Sequence, residues 1–226
     1  MHVHLPKPLH GWREFAGEVG IIVLGVLIAL GAEQFIQMLN WRSDVAAERR
    51  ALRGEVRYNL SAALFRRSEQ PCIDRRLQQI ALVFQRKAEG QPLGLRAAVG
   101  RPVVWGGTTG TWDIALSGQA LAHMPLEEKL DLSNAFSTYR HFRDLREQED
   151  QTWRTLGLLD QANVLNETDW SRLHEAYANA RAISQRMQLV IDYQLQQASL
   201  GERAEMPTDT AGFGAAERAF CSPMIG

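Results

Sequence analysis

The sequence predicts an all-α protein: an N-terminal transmembrane helix that continues into an antiparallel bundle of about four helices, with one loop-rich insert. Three observations carry this. The stretch "GEVGIIVLGVLIALGAEQ" places fourteen uncharged residues, Val19 to Ala32, between Glu18 and Glu33. Apolar residues recur at spacings of three and four through most of the remaining chain. "PVVW" at 102–105 is the sole segment that reads as a strand, too little to build a sheet.

The apolar run comes first. Fourteen residues fall short of the roughly 20 that cross hydrocarbon, but Phe15, Ala16 and Gly17 extend the run backwards and Phe35, Ile36, Met38 and Leu39 extend it forwards. From Trp12 to Trp41 a helix rises about 44 Å, close to a bilayer with its headgroups. Both tryptophans then fall where interfacial aromatic belts lie, and the two glutamates sit about one turn inside each interface. A cleaved signal fits less well, because Glu14 and Glu18 stand where such a signal is basic or neutral. A buried core helix would need cover on every side, since residues 21–30 leave no polar face. Glu18, Gly25, Ala29 and Ala32 share one narrow stripe, a seam of small side chains that would let a second helix approach closely in lipid. The expected partners are the bilayer and, through this seam, a second copy or another membrane protein.

The run followed by "NWR" resembles the amino-terminal block of a large, uncharacterised group of bacterial single-span membrane proteins. In that group a GE(I/V) start precedes a V-h-G-V-L-I-A-L core and a Trp follows shortly after. The resemblance covers residues 8–42, with a weaker echo in "RPVVWGGTTGTWDIALSGQALAHMP". It implies a membrane anchor with a helical domain behind it, and no activity.

Behind the span (12–41, after a head at 1–11), the bundle is expected over 42–200 and a tail over 201–226. Leu52, Val56, Leu60 and Leu64 predict that the first helix runs on. Pro71 suits a helix start, and Ile73, Leu77, Ile80 and Phe84 form a stripe that ends at "EGQPLG". A third element opens at Pro125 with Leu126, Leu130, Leu132, Phe136, Tyr139, Phe142, Leu145, Trp153, Leu156 and Leu159 on its stripe. Asp169 is the expected N-cap of a fourth, whose stripe runs Trp170, Leu173, Tyr177, Ala180, Ile183, Met187, Val190, Gln194, Ala198.

The insert, 90–125, has three glycines in "GGTTG" but no following Lys-Ser or Lys-Thr, so it does not read as a phosphate loop. Its glycines suit tight turns, Thr111 is expected to cap a short helix, and Trp105 and Trp112 are expected to drop onto the bundle. Asp113 and His123 would form an acid/base pair if the fold brought them together, the alternative being an enzyme or ligand-binding protein with a pocket under residues 100–125. No Glu-x-x-His, HExxH, CxxC or G-x-S-x-G occurs, so no cofactor, metal or catalytic nucleophile is assigned.

A net charge of −1 excludes a strongly basic nucleic-acid binder. The most basic stretch, 41–68, carries seven arginines against three acids, and these arginines read as a solvated surface. Cys72 and Cys221 are the two cysteines. They fit two unrelated buried thiols or a disulfide that pins the tail in an oxidising compartment, and the disulfide is the expectation. Lys7 and Arg13 before the span are nearly balanced by Arg42, Arg49, Arg50 and Arg53 after it, which leans slightly against export. The short head and the cysteine pair argue the other way. The expected place is a bacterial inner membrane, single-pass, with a periplasmic bundle and an activity exerted by contact.

Overall fold

The computed structural model describes residues 11–196 and 214–226. Residues 1–10 of the expected head, Ala198 and the first part of the tail lie outside them. The chain divides into two compact units, Met1–Glu48 and Arg49–Gly226. Helix α1 is Trp12–Ser68, α2 Gln70–Ala88, α3 Gly110–Ser117, α4 Leu126–Leu156, α5 Glu167–Gln196 and α6 Gly214–Cys221. Short 3-10 segments cover Ala120–His123 and Gly157–Val164. Among the described residues there is no strand, and "PVVW" is extended coil.

The first unit holds the apolar part of α1. It is long and apolar enough to cross a membrane, and none of its apolar window is buried. Ile21, Leu24 and Ile28 are 74%, 58% and 63% exposed. Large apolar side chains on every face of an unburied helix have no aqueous partner, so this surface calls for a nonaqueous one.

In the second unit α1 and α2 meet at Glu69, whose dihedrals (φ −75°, ψ −15°) stay near helical. Pro71 has no N–H to continue the ladder, so the helix breaks there while the chain keeps its direction. Pairings along the helices give the rest of the topology. Arg49 meets Glu128 and Arg66 meets Glu149, so α1 and α4 run parallel. Gln70 meets Ser184 and Phe84 meets Trp170, so α5 runs antiparallel to α2. The four expected helices thus pack as three rods, with α1 and α2 forming one broken rod and α5 alone reversed.

The stripes form the core with some rotation. Leu52, Val56 and Leu60 are buried, as are Ile73, Leu77, Ile80 and Phe84. On α4 burial begins at Leu132. Leu126 and Leu130 are exposed, since the stripe drifts off the contact face at the helix start. On α5 Trp170, Leu173, Ala180, Ile183, Met187 and Gln194 are buried as expected, while Ala176 and Ile191 are buried in place of Tyr177 and Val190, which are half-buried beside them. The cap of α5 is also shifted from expectation. Asn166 Oδ1 accepts from the Asp169 N–H while Asp169 Oδ2 accepts from the Asn166 N–H, a reciprocal capping box in which Asp169 is the third helical residue.

The end of the chain is part of the core. Phe220 and Met224 pack with Ile73, Val99 and Trp153, and Leu95 forms an isolated bridge with Ile225. Cys72 and Cys221 are joined by a disulfide (S–S 2.03 Å, Cα–Cα 4.8 Å). Buried Arg76 gathers this corner, donating to the carbonyls of Ala98, Phe220 and Ser222.

Candidate functional site

Among the described residues, Ala63, Phe142, Leu145, Met187 and Ile191 form one apolar cluster of the bundle, and a larger one surrounds Ile73, Trp153, Leu156 and Leu173. Along α4, Arg146 and Glu149 fall between them in sequence and keep the buried spacing. A charged layer therefore sits where the helical stripe would place apolar residues. Arg66 of α1 donates to both oxygens of Glu149, Nη2 to Oε1 at 2.6 Å and Nε to Oε2 at 3.2 Å. Arg146 donates to Glu149 through Nη1 at 2.5 Å. Arg66 also donates to Gln70, which bonds Asp74 and Ser184. All of Arg66, Glu69, Arg146 and Glu149 are buried.

Glu69 lies at the break between α1 and α2 and is completely buried. Its Oε1 accepts from the backbone N–H of Val103 in the insert at 2.8 Å. Among the described residues its Oε2 has no hydrogen-bond partner, nor do Nε and Nη2 of Arg146. Burial pushes the Glu69 carboxyl up to about 7, against the opposing influence of the Val103 N–H and the Arg146 and Arg66 guanidinium groups. Loss of hydration outweighs two nearby cations because the carboxyl is shut off from water and neither cation bonds it.

The insert is held over this layer by acceptors on the helices. Asn59 Oδ1 accepts from the N–H groups of Gly107 and Thr108, and Asn59 Nδ2 donates to the Thr108 carbonyl. Glu55 accepts from the N–H groups of Thr111 and Trp112, satisfying the open first turn of α3. Thr111 is therefore not the cap; α3 begins at Gly110 with Thr109 at the cap position, two residues earlier than expected, and takes its capping carboxylate from α1. Asp160 accepts from the Val99 N–H. Gly106 and Gly107, at φ +88° and +82°, pass so close to α1 and α4 that an added Cβ would lie 2.1 Å from the Ala62 Cβ and 2.7 Å from the Arg143 Cβ. Trp105 packs edge-on against Tyr58 and Phe65, and Trp112 stacks on Phe136.

Asp113 is committed elsewhere than to His123. It accepts from the Thr109 hydroxyl and pairs with Arg140, which together hold its carboxyl below the usual range. His123 closes the 3-10 turn Ala120–His123. In the first unit Glu18, Gly25, Ala29 and Ala32 are all exposed, and a Cβ on Gly25 would meet nothing. Trp12 is exposed and Trp41 half-buried. Among the described residues no group of His, Cys, Asp or Glu is arranged to hold a metal.

The sequence reading missed the charged layer and assigned Arg66 to a solvated face. A signal was present: Phe142, Leu145, Arg146, Glu149, Trp153 and Leu156 keep helical core spacing with charges in the middle, and Arg66 precedes Glu69 by three. No protein-family model matches this chain, and neither does any curated protein or solved structure, so the functional reading rests on its own residues.

Proposed function

We propose that this protein is a bacterial inner-membrane protein with a single N-terminal span and a periplasmic helical bundle, and that it works by contact, as a scaffold, an accessory subunit or a sensor. The observation that carries the reading is the wholly unburied apolar segment of α1. The resemblance of residues 8–42 to bacterial single-span anchors supports the compartment. The Cys72–Cys221 disulfide supports the orientation, since such bonds persist in the periplasm and are reduced in the cytoplasm. The unburied seam Glu18, Gly25, Ala29, Ala32 offers the span's own contact face to a second copy or another membrane protein.

The insert supports contact over catalysis. Its glycines lie directly against Ala62 and Arg143, its tryptophans are packed, and Asp113 is spent on Thr109 and Arg140. The test is fractionation after a carbonate wash. Retention in the membrane pellet, with residues 49–226 digested by protease added to spheroplasts, is the expected result. Recovery in the wash overturns the span, and protection from protease overturns the orientation.

A further inference from the structure

We propose that Glu69 is a proton-operated latch on the insert: uncharged, it stays shut beneath Val103, and when ionised it favours opening of the 99–110 strap, which admits water to the carboxylate. The geometry has three parts. Glu69 stands where α1 passes into α2, its backbone held in place by helical bonds to Phe65 and from Ile73, so the carboxyl is aimed at the insert from a fixed point. Among the described residues the one hydrogen bond of its carboxyl runs to the strap itself, and the second carboxyl oxygen has no partner although it is fully buried. The strap is held over the bundle by bonds to Asn59, Glu69 and Asp160, by the Arg101–Asp150 pair, by the packing of Trp105 and by the close approach of Gly106 and Gly107 to Ala62 and Arg143.

The charges that face Glu69 come from each element packed on it. Arg66 belongs to α1, and Arg146 and Glu149 to α4. The insert contributes the Val103 N–H, with its nearby Arg101 turned to Asp150. From α5 the polar group at this level is Ser184, reached through Gln70. Glu149 engages Arg66 through two nitrogens and Arg146 through Nη1 alone, and among the described residues no direct bond joins either guanidinium to Glu69. Lifting the strap adds water to the groups that can stabilise the ionised carboxylate.

Thermodynamic linkage sets the size. With the strap closed the carboxyl titrates at about 7, against an ordinary value of 4.5 for one that water reaches. The closed form therefore binds more protons across that interval, and the opening constant must rise with pH through it and level off above. Between pH 5 and 9 the rise is on the order of a hundredfold. It is independent of the membrane reading, because every group concerned lies in the second unit.

The experiment is amide hydrogen exchange of the full chain in detergent micelles from pH 5 to 9, corrected for intrinsic exchange. The expected result is a rise of about a hundredfold in opening at Val103 and its neighbours, levelling off above about pH 7, with amides in the middle of α5 unaffected. Glu69→Gln, which keeps an acceptor for Val103, should flatten the profile. A flat wild-type profile, or a Glu69→Gln profile identical to wild type, overturns the latch. Should Glu69→Gln not fold, carboxyl-carbon NMR of the wild type decides: a Glu69 signal titrating near 4.5 overturns the proposal, and one titrating near 7 supports it.

Discussion

Gly106 lies against Ala62 so closely that a Cβ on the glycine would fall 2.1 Å from the alanine's own Cβ. This contact sets how near the insert can come to α1. It also sets how far Trp105 reaches onto Tyr58 and Phe65 and whether the Gly107 N–H meets Asn59. Gly106→Ala should cost about 2–4 kcal/mol, from a left-handed φ and the overlap with Ala62 together. Gly90→Ala is the control. Its φ is also positive (+66°), yet nothing lies within 4 Å of the added methyl, so it should cost about 1 kcal/mol. Denaturant midpoints for the two variants measure the difference; equal losses would mean that the insert is not packed against α1.

Arg66 tests the charged layer. Replacing it with Met leaves Glu149 with one guanidinium partner in a buried site and should destabilise the bundle by about 3–5 kcal/mol. Arg49→Met removes a similar two-bond pair to Glu128, but one in partial contact with water, and should cost less than about 1 kcal/mol. Urea unfolding of both variants checks the contrast. A loss below about 1 kcal/mol for Arg66→Met would show that the layer adds no net stability.

The Cys72–Cys221 bond closes a loop of 149 residues. On the chain-entropy view it stabilises the fold by about 4–5 kcal/mol, and Cys72→Ser should lower the denaturation midpoint accordingly. In cells with a disulfide-forming system, maleimide should label neither thiol in denatured lysate until reductant is added. Cys72→Ser should then expose Cys221 to label. Immediate labelling of both cysteines in the wild type would place the bundle in a reducing compartment.

The seam is tested by Gly25→Leu and Ala29→Leu. Both should leave membrane insertion intact, since leucine adds apolar area, while reducing cross-linked dimers or captured membrane partners severalfold by blocking close approach. Unchanged cross-linking in both variants would reduce the stripe to ordinary use of small residues.

Periodicity made most of the helices legible before any coordinates. Residues 21–30 have no polar face, and Leu52, Val56, Leu60, Ile73, Leu77 and Ile80 fall on the faces their spacing assigns, because a helix fixes which side chains share a side. Where an element turns out of the core was less legible. Leu126 and Leu130 keep the spacing of the stripe yet stand in solvent, since a spacing of three and four drifts around a straight helix and only the neighbouring rods decide which turns are covered.

The sequence by itself determined the secondary structure class, the apolar surface of α1 and the identity of the two cysteines, because these depend on side-chain chemistry and local period alone. Tertiary structure decided what long-range pairing controls. It set α4 parallel to α1, brought Cys221 to Cys72, laid Gly106 on Ala62, and closed Arg66, Glu69, Arg146 and Glu149 into one buried layer. A charged residue in a sequence carries no mark of its hydration. Whether Glu69 faces water or a backbone N–H from 34 residues away depends on where the insert folds back, and that placement moves its carboxyl from an ordinary surface acid to one that titrates near neutrality.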